Sequence, residues 1–296
     1  MMKNLYKFPP IDQSLISPRW SGESFIINGR SYPILEYSEN FSGWSDDLTL
    51  MHEDSAGNYH PIDVMSRALA VQNIKSSLLC EEDKVILEIG CSSGYLLEAL
   101  LEAFPSYSIM GADVVKQPLY DLAKKKLGIP LLRFDLLKCP LPNNCIDVLV
   151  MLNVLEHIED DQLALKKAYH LLKPDGIVVI EVPAGQYLYD QYDRELKHFR
   201  RYSSKELCKK LENAGFIITR KTYLGFLAFP LFALVKLKNK LIDRKHLDSR
   251  KYVIKSASNT SKSFLLKLLF FIEFKFLSKI ETPFGIRVVV VARRKK

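Results

Sequence analysis

The residues whose types and spacing most directly imply chemistry are an acid, two glycines and a serine at alternate positions, Glu88-x-Gly90-x-Ser92-x-Gly94. They follow the apolar run Val85 to Leu87 and precede a segment, Tyr95 to Phe104, whose apolar residues recur at helical spacing. A glycine turn between a buried strand and a helix lets the backbone approach a ligand closely, and such a ligand lies at the carboxyl end of the strand. The turn is not a dinucleotide fingerprint: Gly-x-Gly-x-x-Gly counted from Gly90 would need glycine where Ser92 and Tyr95 stand. A second acid, Asp113, closes the apolar segment Ser108 to Ala112 about 20 residues after the turn, where a carboxylate accepts hydrogen bonds from a ribose diol. The chemistry implied is capture of a nucleoside cofactor. Two histidines are candidate bases, because imidazole titrates near neutrality: His157, after the apolar segment Cys145 to Leu152, and His198, within a stretch dense in tyrosine, arginine and histidine.

These residues need a sheet to position them. Val85 to Ile89, Ser108 to Asp113, Leu131 to Asp135, Cys145 to Asn153 and Ile177 to Val182 read as buried strands, with a helix over Asp160 to Leu172 and a Lys173-Pro-Asp-Gly176 turn before the last. Alternating strands and helices predict an α/β fold with a doubly wound parallel sheet. At 296 residues, 48% hydrophobic and 26% charged, the chain suffices for one enzyme-sized core. Its five cysteines include no C-x-x-C pair, which points to a reducing cytoplasm and to no structural metal. The first ten residues lack the apolar core of a secretory signal.

Glu88-x-Gly90-x-Ser92-x-Gly94 closely resembles the first motif of class I S-adenosylmethionine-dependent methyltransferases, of the bacterial small-molecule type, with Ser92 where glycine is commonest. The resemblance implies S-adenosyl-L-methionine as cofactor and a Rossmann-like sheet of seven strands. The sixth would be Phe216 to Tyr223, and the antiparallel last strand Gly285 to Arg293 would insert beside it. It further implies that Asp135, with Leu136 beside it, receives the adenine amino group, and that Asn153 lies near the methionine part of the cofactor. The stretch Asp193 to Ser203, with His198-Phe-Arg200-Arg201-Tyr-Ser203, is similar to one common in small-molecule members; Tyr187, Tyr192, Arg200 and Arg201 become candidate acceptor-side residues. The Asn153-Val-Leu-Glu156-His157 turn lacks the Pro-Pro-aromatic signature of nucleobase amine methylation. It partly resembles quinone-pathway O-methyltransferases that hold a divalent ion there, but Asn153 occupies the place of a carboxylate, so no metal is expected to be required.

Charge divides the chain. Net charge is +8, yet residues 220–296 alone carry 19 Lys and Arg against 4 acids. Within that basic part lie two short apolar segments, Tyr223 to Val235 followed by Lys236, Lys238 and Lys240, and Phe264 to Leu277. Neither is long enough to span a bilayer, and lysine-flanked amphipathic segments suit an anionic membrane surface. The competing reading is core helices with a solvated basic rim. The expected organisation is a hairpin and helical cap over residues 1–80, a cofactor-binding core of 81–224 plus 284–296, and a basic hydrophobic insertion, 225–283. In the cap, Asn28-Gly29 between apolar runs predicts a hairpin, Asp63 is a candidate cap for a helix over Val64 to Leu79, and Trp44, Asp46, Asp47, His52 and His60 form a candidate lid. The expected activity is methyl transfer to a small-molecule or lipid-linked acceptor, at oxygen, by a protein that is cytoplasmic or peripheral at the inner face of the membrane. Nucleic acid is disfavoured as a partner. An RNA or protein methyltransferase docking through the basic region, and a non-catalytic cofactor-binding relative, are the alternatives.

Overall fold

The computed structural model describes residues 7–11, 16–37, 59–78, 83–241 and 263–296. Its centre is β5 (Val85–Ile89) beside β8 (Ile146–Leu152). Val85, Leu87 and Ile89 enter one core with Leu149 and Met151, while Ile86, Val148 and Val150 enter the other, so both faces of the sheet are buried. Two buried faces require helices on both sides. One side is covered by α1 (Pro61–Ser77), α2 (Tyr95–Ala103) and α3 (Lys116–Lys124), the other by α4 (Asp161–Leu171) and α6 (Ser204–Asn213). A short α5 (Gln191–Glu195) lies between α4 and α6 in the chain.

The remaining strands of this sheet are β4 (Leu35–Glu36), β6 (Ser108–Asp113), β7 (Leu131–Arg133), β9 (Leu172–Pro183), β10 (Phe216–Leu224) and β11 (Arg287–Arg294). The order is β10-β11-β9-β8-β5-β6-β7-β4, with β11 antiparallel to both its neighbours and the other pairs parallel. This is the expected Rossmann-like methyltransferase sheet, with one strand more than seven. The extra strand, β4, comes from the N-terminal region and pairs with β7: Leu35 is fully buried and Glu36 binds Arg133 at 2.9 Å. A two-residue strand has no periodicity, which is why it escapes a sequence reading.

The Asn28-Gly29 hairpin is present. Strands β1 (Arg19–Trp20), β2 (Phe25–Ile27) and β3 (Arg30–Tyr32) form a small antiparallel sheet, with Asn28 at φ 50° and Gly29 at φ 75° in the turn between β2 and β3. Two local expectations change. Helix α1 begins at Pro61 with His60 at its N-cap, and Asp63 caps nothing because its carboxylate accepts from Arg287 at 2.6 Å. The Lys173 to Gly176 turn is a bulge inside a longer β9: the register jumps between Ile146 and Val148, and Asp175 takes φ 63°.

Among the described residues no helix is long and apolar enough to cross a membrane. The region after β10 carries α7 (Phe229–Leu241) and α8 (Phe264–Leu277). Phe270 of α8 packs with Ile62, Met65 and Leu69 of α1 and with Ala228, Leu224 and Val289 in a third, smaller core. Glu273, buried on α8, accepts from the amides of Gly225 and Leu227 at 2.7 and 3.0 Å, tying α8 to the end of β10. The lid candidates Trp44, Asp46, Asp47 and His52, with Cys80, lie outside the described residues.

Candidate active site

The parallel strands β5 to β9 end along one edge of the sheet, and the turns that follow them frame a cavity of about 750 Å³. Gly90 and Ser92 follow β5, Asp113 ends β6, Asp135 and Leu136 follow β7, and Asn153 follows β8; all six line the cavity. Gly90 and Gly94 take φ +76° and +79°, a backbone region open to glycine and costly for other residues. A Cβ on Gly90 would stand 2.5 Å from Val154 Cγ2, and one on Gly94 would stand 2.4 Å from Leu122 Cδ1. The Asp113 carboxylate accepts from the amides of Ser92 and Val115, each at 2.9 Å, which pins the glycine turn to the end of β6. Asp135 accepts from the Leu137 amide at 2.9 Å. Acids at two strand ends, a glycine turn, and apolar walls from Val114, Phe134, Leu136 and Leu152 are the acceptor set and slot that a nucleoside with an apolar-stacked base fits.

Two of the expected cofactor residues stand back from the cavity. Glu88 is buried inside β5 with its Oε2 unpartnered; burial and the nearby Asp113 charge, opposed by Arg67, push its carboxyl well above the usual range. Gly94 packs on Leu122 at the start of α2.

The opposite end of the cavity is built from the turn after β8 and the stretch after β9. Glu156, His157 and His198 line it together. The His157 and His198 rings meet edge to face with centroids 4.7 Å apart, and the Phe199 amide donates to the Glu156 carbonyl at 2.8 Å, holding the two segments together. Glu156 is fully buried and neither carboxylate oxygen has a hydrogen-bond partner. Burial pushes its pKa up to about 8, against the opposing charges of Arg287 and Arg201. His198 Nδ1 lies 2.8 Å from Asp193 Oδ1; burial lowers the pKa of the imidazole although Asp193 pulls it the other way.

Asp193 is the hub of this end. It is wholly buried on α5 and takes Arg201 Nε at 2.7 Å and Lys236 Nζ at 3.3 Å besides His198. These partners outweigh its burial and hold its carboxyl far below the usual range. Lys236 also binds Asp190 at 2.7 Å, so a lysine of α7 reaches back into the loops of the main sheet. A second buried network joins Arg287 of β11 to Glu181 of β9 at 2.8 Å and Asp63 of α1 at 2.6 Å, with Ser66 donating to Glu181 at 2.6 Å.

The acceptor-side candidates divide. Tyr192 and Arg201 line the cavity, Arg201 with its guanidinium already committed to Asp193. Tyr187 and Arg200 do not: Tyr187 is exposed, and Arg200 turns outward to Asp161 at 2.9 Å and the Glu159 carbonyl at 2.7 Å. Adjacent residues of an irregular stretch point in different directions, and sequence alone does not tell Arg200 from Arg201. Lys236, counted in the sequence with the basic flank of an apolar segment, is instead buried. Its signal was present only as a lysine one residue past the apolar run Phe229 to Val235. Arg287 and Glu181 carried no sequence signal.

An α/β sheet with an antiparallel last strand slotted between β9 and β10, and a glycine turn and acids gathered at its carboxyl edge, is the Rossmann-like architecture of methyltransferases. Residues 64–221, more than half of the chain, match the model of a family described as a methyltransferase domain, and the chain belongs to that family. It is 26% identical over 133 residues to a probable S-adenosylmethionine-dependent methyltransferase of Mycolicibacterium smegmatis, covering 44% of this chain and 51% of that one. It is 38% identical over 113 residues to a tRNA U34 carboxymethyltransferase of Helicobacter pylori, covering 34% and 41%. These matches thus span about half or less of the relatives' length. Among solved structures, a putative sarcosine dimethylglycine methyltransferase from Galdieria sulphuraria is similar at TM-score 0.59 and 14% identity, over 84% of this chain and 99% of that one. Phosphoethanolamine N-methyltransferase 2 of Haemonchus contortus, in complex with S-adenosyl-L-methionine, is similar at TM-score 0.53 and 17% identity, over 84% and 57%. The fold and the matched domain thus place residues 64–221 in a methyltransferase-domain family.

Proposed function

We propose that this methyltransferase acts on a hydroxyl oxygen of a lipid-linked acceptor presented at an anionic membrane surface. The observation that carries the reading is the outer wall of the cavity. Ala228, Leu231, Phe232 and Val235, before and along α7, and Leu266 and Phe270 of α8 line it. The same two helices leave Leu234, Leu237, Phe264, Leu268, Phe271 and Phe276 exposed, with Lys238, Lys267 and Lys275 exposed among them. An apolar face of that kind, ringed by lysine, suits the interface of an anionic bilayer, and here it continues into the cavity.

Bound S-adenosylmethionine supplies an electrophilic methyl group. Gly90, Asp113, Asp135 and Asn153 hold the nucleoside and methionine parts, and positioning provides much of the rate. A hydroxyl acceptor must also lose its proton. His157 and His198 are the candidate acceptors for that proton; Asp193 on Nδ1 orients His198 so that its Nε2 is the basic atom. Arg201 and Lys236 are buried beside this end and Tyr192 is half-buried.

The test is flotation of the full chain with vesicles of neutral lipid alone and of neutral lipid mixed with phosphatidylglycerol, comparing the native chain with Phe271→Glu/Phe276→Glu. Both phenylalanines are more than half exposed, at 61% and 64%, so the fold tolerates the change. Binding to the anionic vesicles, lost in the double variant while S-adenosylhomocysteine affinity is unchanged, supports the reading. No vesicle binding, or steeply salt-dependent binding to RNA that the double variant retains, overturns it in favour of electrostatic docking on a polyanion.

A further inference from the structure

We propose that Glu156, His157 and His198 form a binding site for a divalent first-row transition metal ion at the acceptor end of the cavity. One ligand atom from each of the three lies within 4.8 Å of the others. The two segments that carry them are fastened by the Phe199 amide to Glu156 carbonyl hydrogen bond, so the three groups converge in the folded chain without rearrangement of the backbone.

Three observations point to a cation. The Glu156 carboxyl is fully buried with neither oxygen paired, an arrangement that costs free energy unless a ligand satisfies it. The cationic side chains that act on Glu156 do not pair with it, since Arg287 is bound to Glu181 and Asp63 and Arg201 to Asp193. His198 carries the outer partner typical of a metal-ligating imidazole: Asp193 on Nδ1 at 2.8 Å fixes the tautomer that leaves Nε2 as the donor atom, and Asp193 is itself immobilised by Arg201 and Lys236. Two imidazoles and one carboxylate favour zinc, iron, cobalt or nickel over magnesium or calcium, which prefer oxygen ligands alone. All three ligands come from one wall of an open cavity, which leaves coordination positions for an acceptor oxygen.

The expectation that no metal is required rested on Asn153 standing where a carboxylate would be needed. In the fold the Asn153 side chain turns to Glu181, its Nδ2 donating to the Glu181 carboxylate at 3.4 Å, and His198 arrives from the stretch after β9 as the third ligand. Its distance in sequence from Glu156 conceals the set. A metal here rests on the oxygen-methylation reading and would replace the base role of the two imidazoles: as ligands they take no proton, and the ion would lower the pKa of a coordinated acceptor hydroxyl so that its proton passes to solvent; its binding test requires neither acceptor nor membrane.

The experiment is calorimetric titration of Zn²⁺ into the chelator-treated full chain with its thiols alkylated, repeated with Co²⁺ by visible absorption. Glu156→Gln and His198→Gln are compared with His170→Gln, an exposed histidine on α4. The expected result is one ion per chain, with affinity lowered about 100-fold or more by either of the first two variants and unchanged by the third. S-adenosylhomocysteine affinity serves as the folding control, and whichever of the two site variants retains it decides the outcome. Absence of stoichiometric binding, or weak binding that none of the variants alters, overturns the site. Vesicle flotation is read separately, so failure of the metal site leaves the membrane reading standing and the reverse.

Discussion

Substituting Gly90 by alanine strains the glycine turn in two separable ways. At φ +76° an L-residue costs about 1–2 kcal/mol, and a new Cβ 2.5 Å from Val154 Cγ2 forces an overpacking adjustment worth about 1–3 kcal/mol. The sum, about 2–5 kcal/mol, corresponds for a chain of this size to a fall in Tm of roughly 5–15 °C. Because Val154 lines the same cavity, the adjustment also displaces a wall residue, and S-adenosylhomocysteine affinity falls with stability. Removing the obstacle separates the two costs. In a Val154→Ala background the same Gly90→Ala step should lose only the backbone part, about 1–2 kcal/mol, so that its Tm penalty is roughly halved. Differential scanning calorimetry on the four proteins of this cycle, with ligand calorimetry on each, measures both quantities. Equal penalties in the two backgrounds would refute the contact with Val154, and no penalty in either would refute the strained turn itself.

The Asp161 carboxyl is subject to burial, which alone would raise its pKa, but hydrogen bonds from Lys210 and Tyr202 and the Arg200 charge outweigh it and hold the pKa below the usual value. Its stabilisation is therefore complete above about pH 4 and lost as pH falls through the lowered folded value; Asp161→Asn should cost about 1–3 kcal/mol at pH 7 by urea unfolding, and the difference should shrink on acidification below pH 4. Lys236→Ala removes the buried cation from Asp190, while Asp193 keeps Arg201 and His198, and should cost about 3 kcal/mol, with hydrogen exchange quickening in α7 more than in β5; uniform exchange across both would contradict the anchoring.

The half of the site near β5 to β7 was legible in sequence because its determinants are contiguous: an apolar strand, a glycine turn and an acid at the strand end follow one another in register. Gly90, Ser92 and Asp113 of that pattern line one cavity in the structure, together with Asp135, Leu136 and Asn153, which only the family resemblance pointed to. The other half was only partly legible. His157 and His198 were singled out separately, but their meeting, and the choice of Arg201 over Arg200, depend on how an irregular stretch folds around Asp193. Lys236 and Arg287 act through ion pairs to residues far away in the chain, and a charge whose partner is remote has no local pattern. Helix starts misled for a related reason: Asp63 has the composition of a cap, yet a buried guanidinium competes for it and wins.

The placement of β11 carries a consequence for biosynthesis. Val288 to Ala292 are buried between β9 and β10, two strands made earlier than β11 on the ribosome, and no direct β9–β10 pairing exists to bridge the interval. A nascent chain that has already emerged through α8 therefore still exposes a slot with two unpaired, apolar strand edges, and Asp63 and Glu181 wait there without the arginine that neutralises them. That interval is when the polypeptide is most prone to pair with another copy of itself. Arrival of β11 zips both edges and neutralises both acids in one event, so any delay between the emergence of β10 and that of residues 287–294 lengthens the vulnerable period.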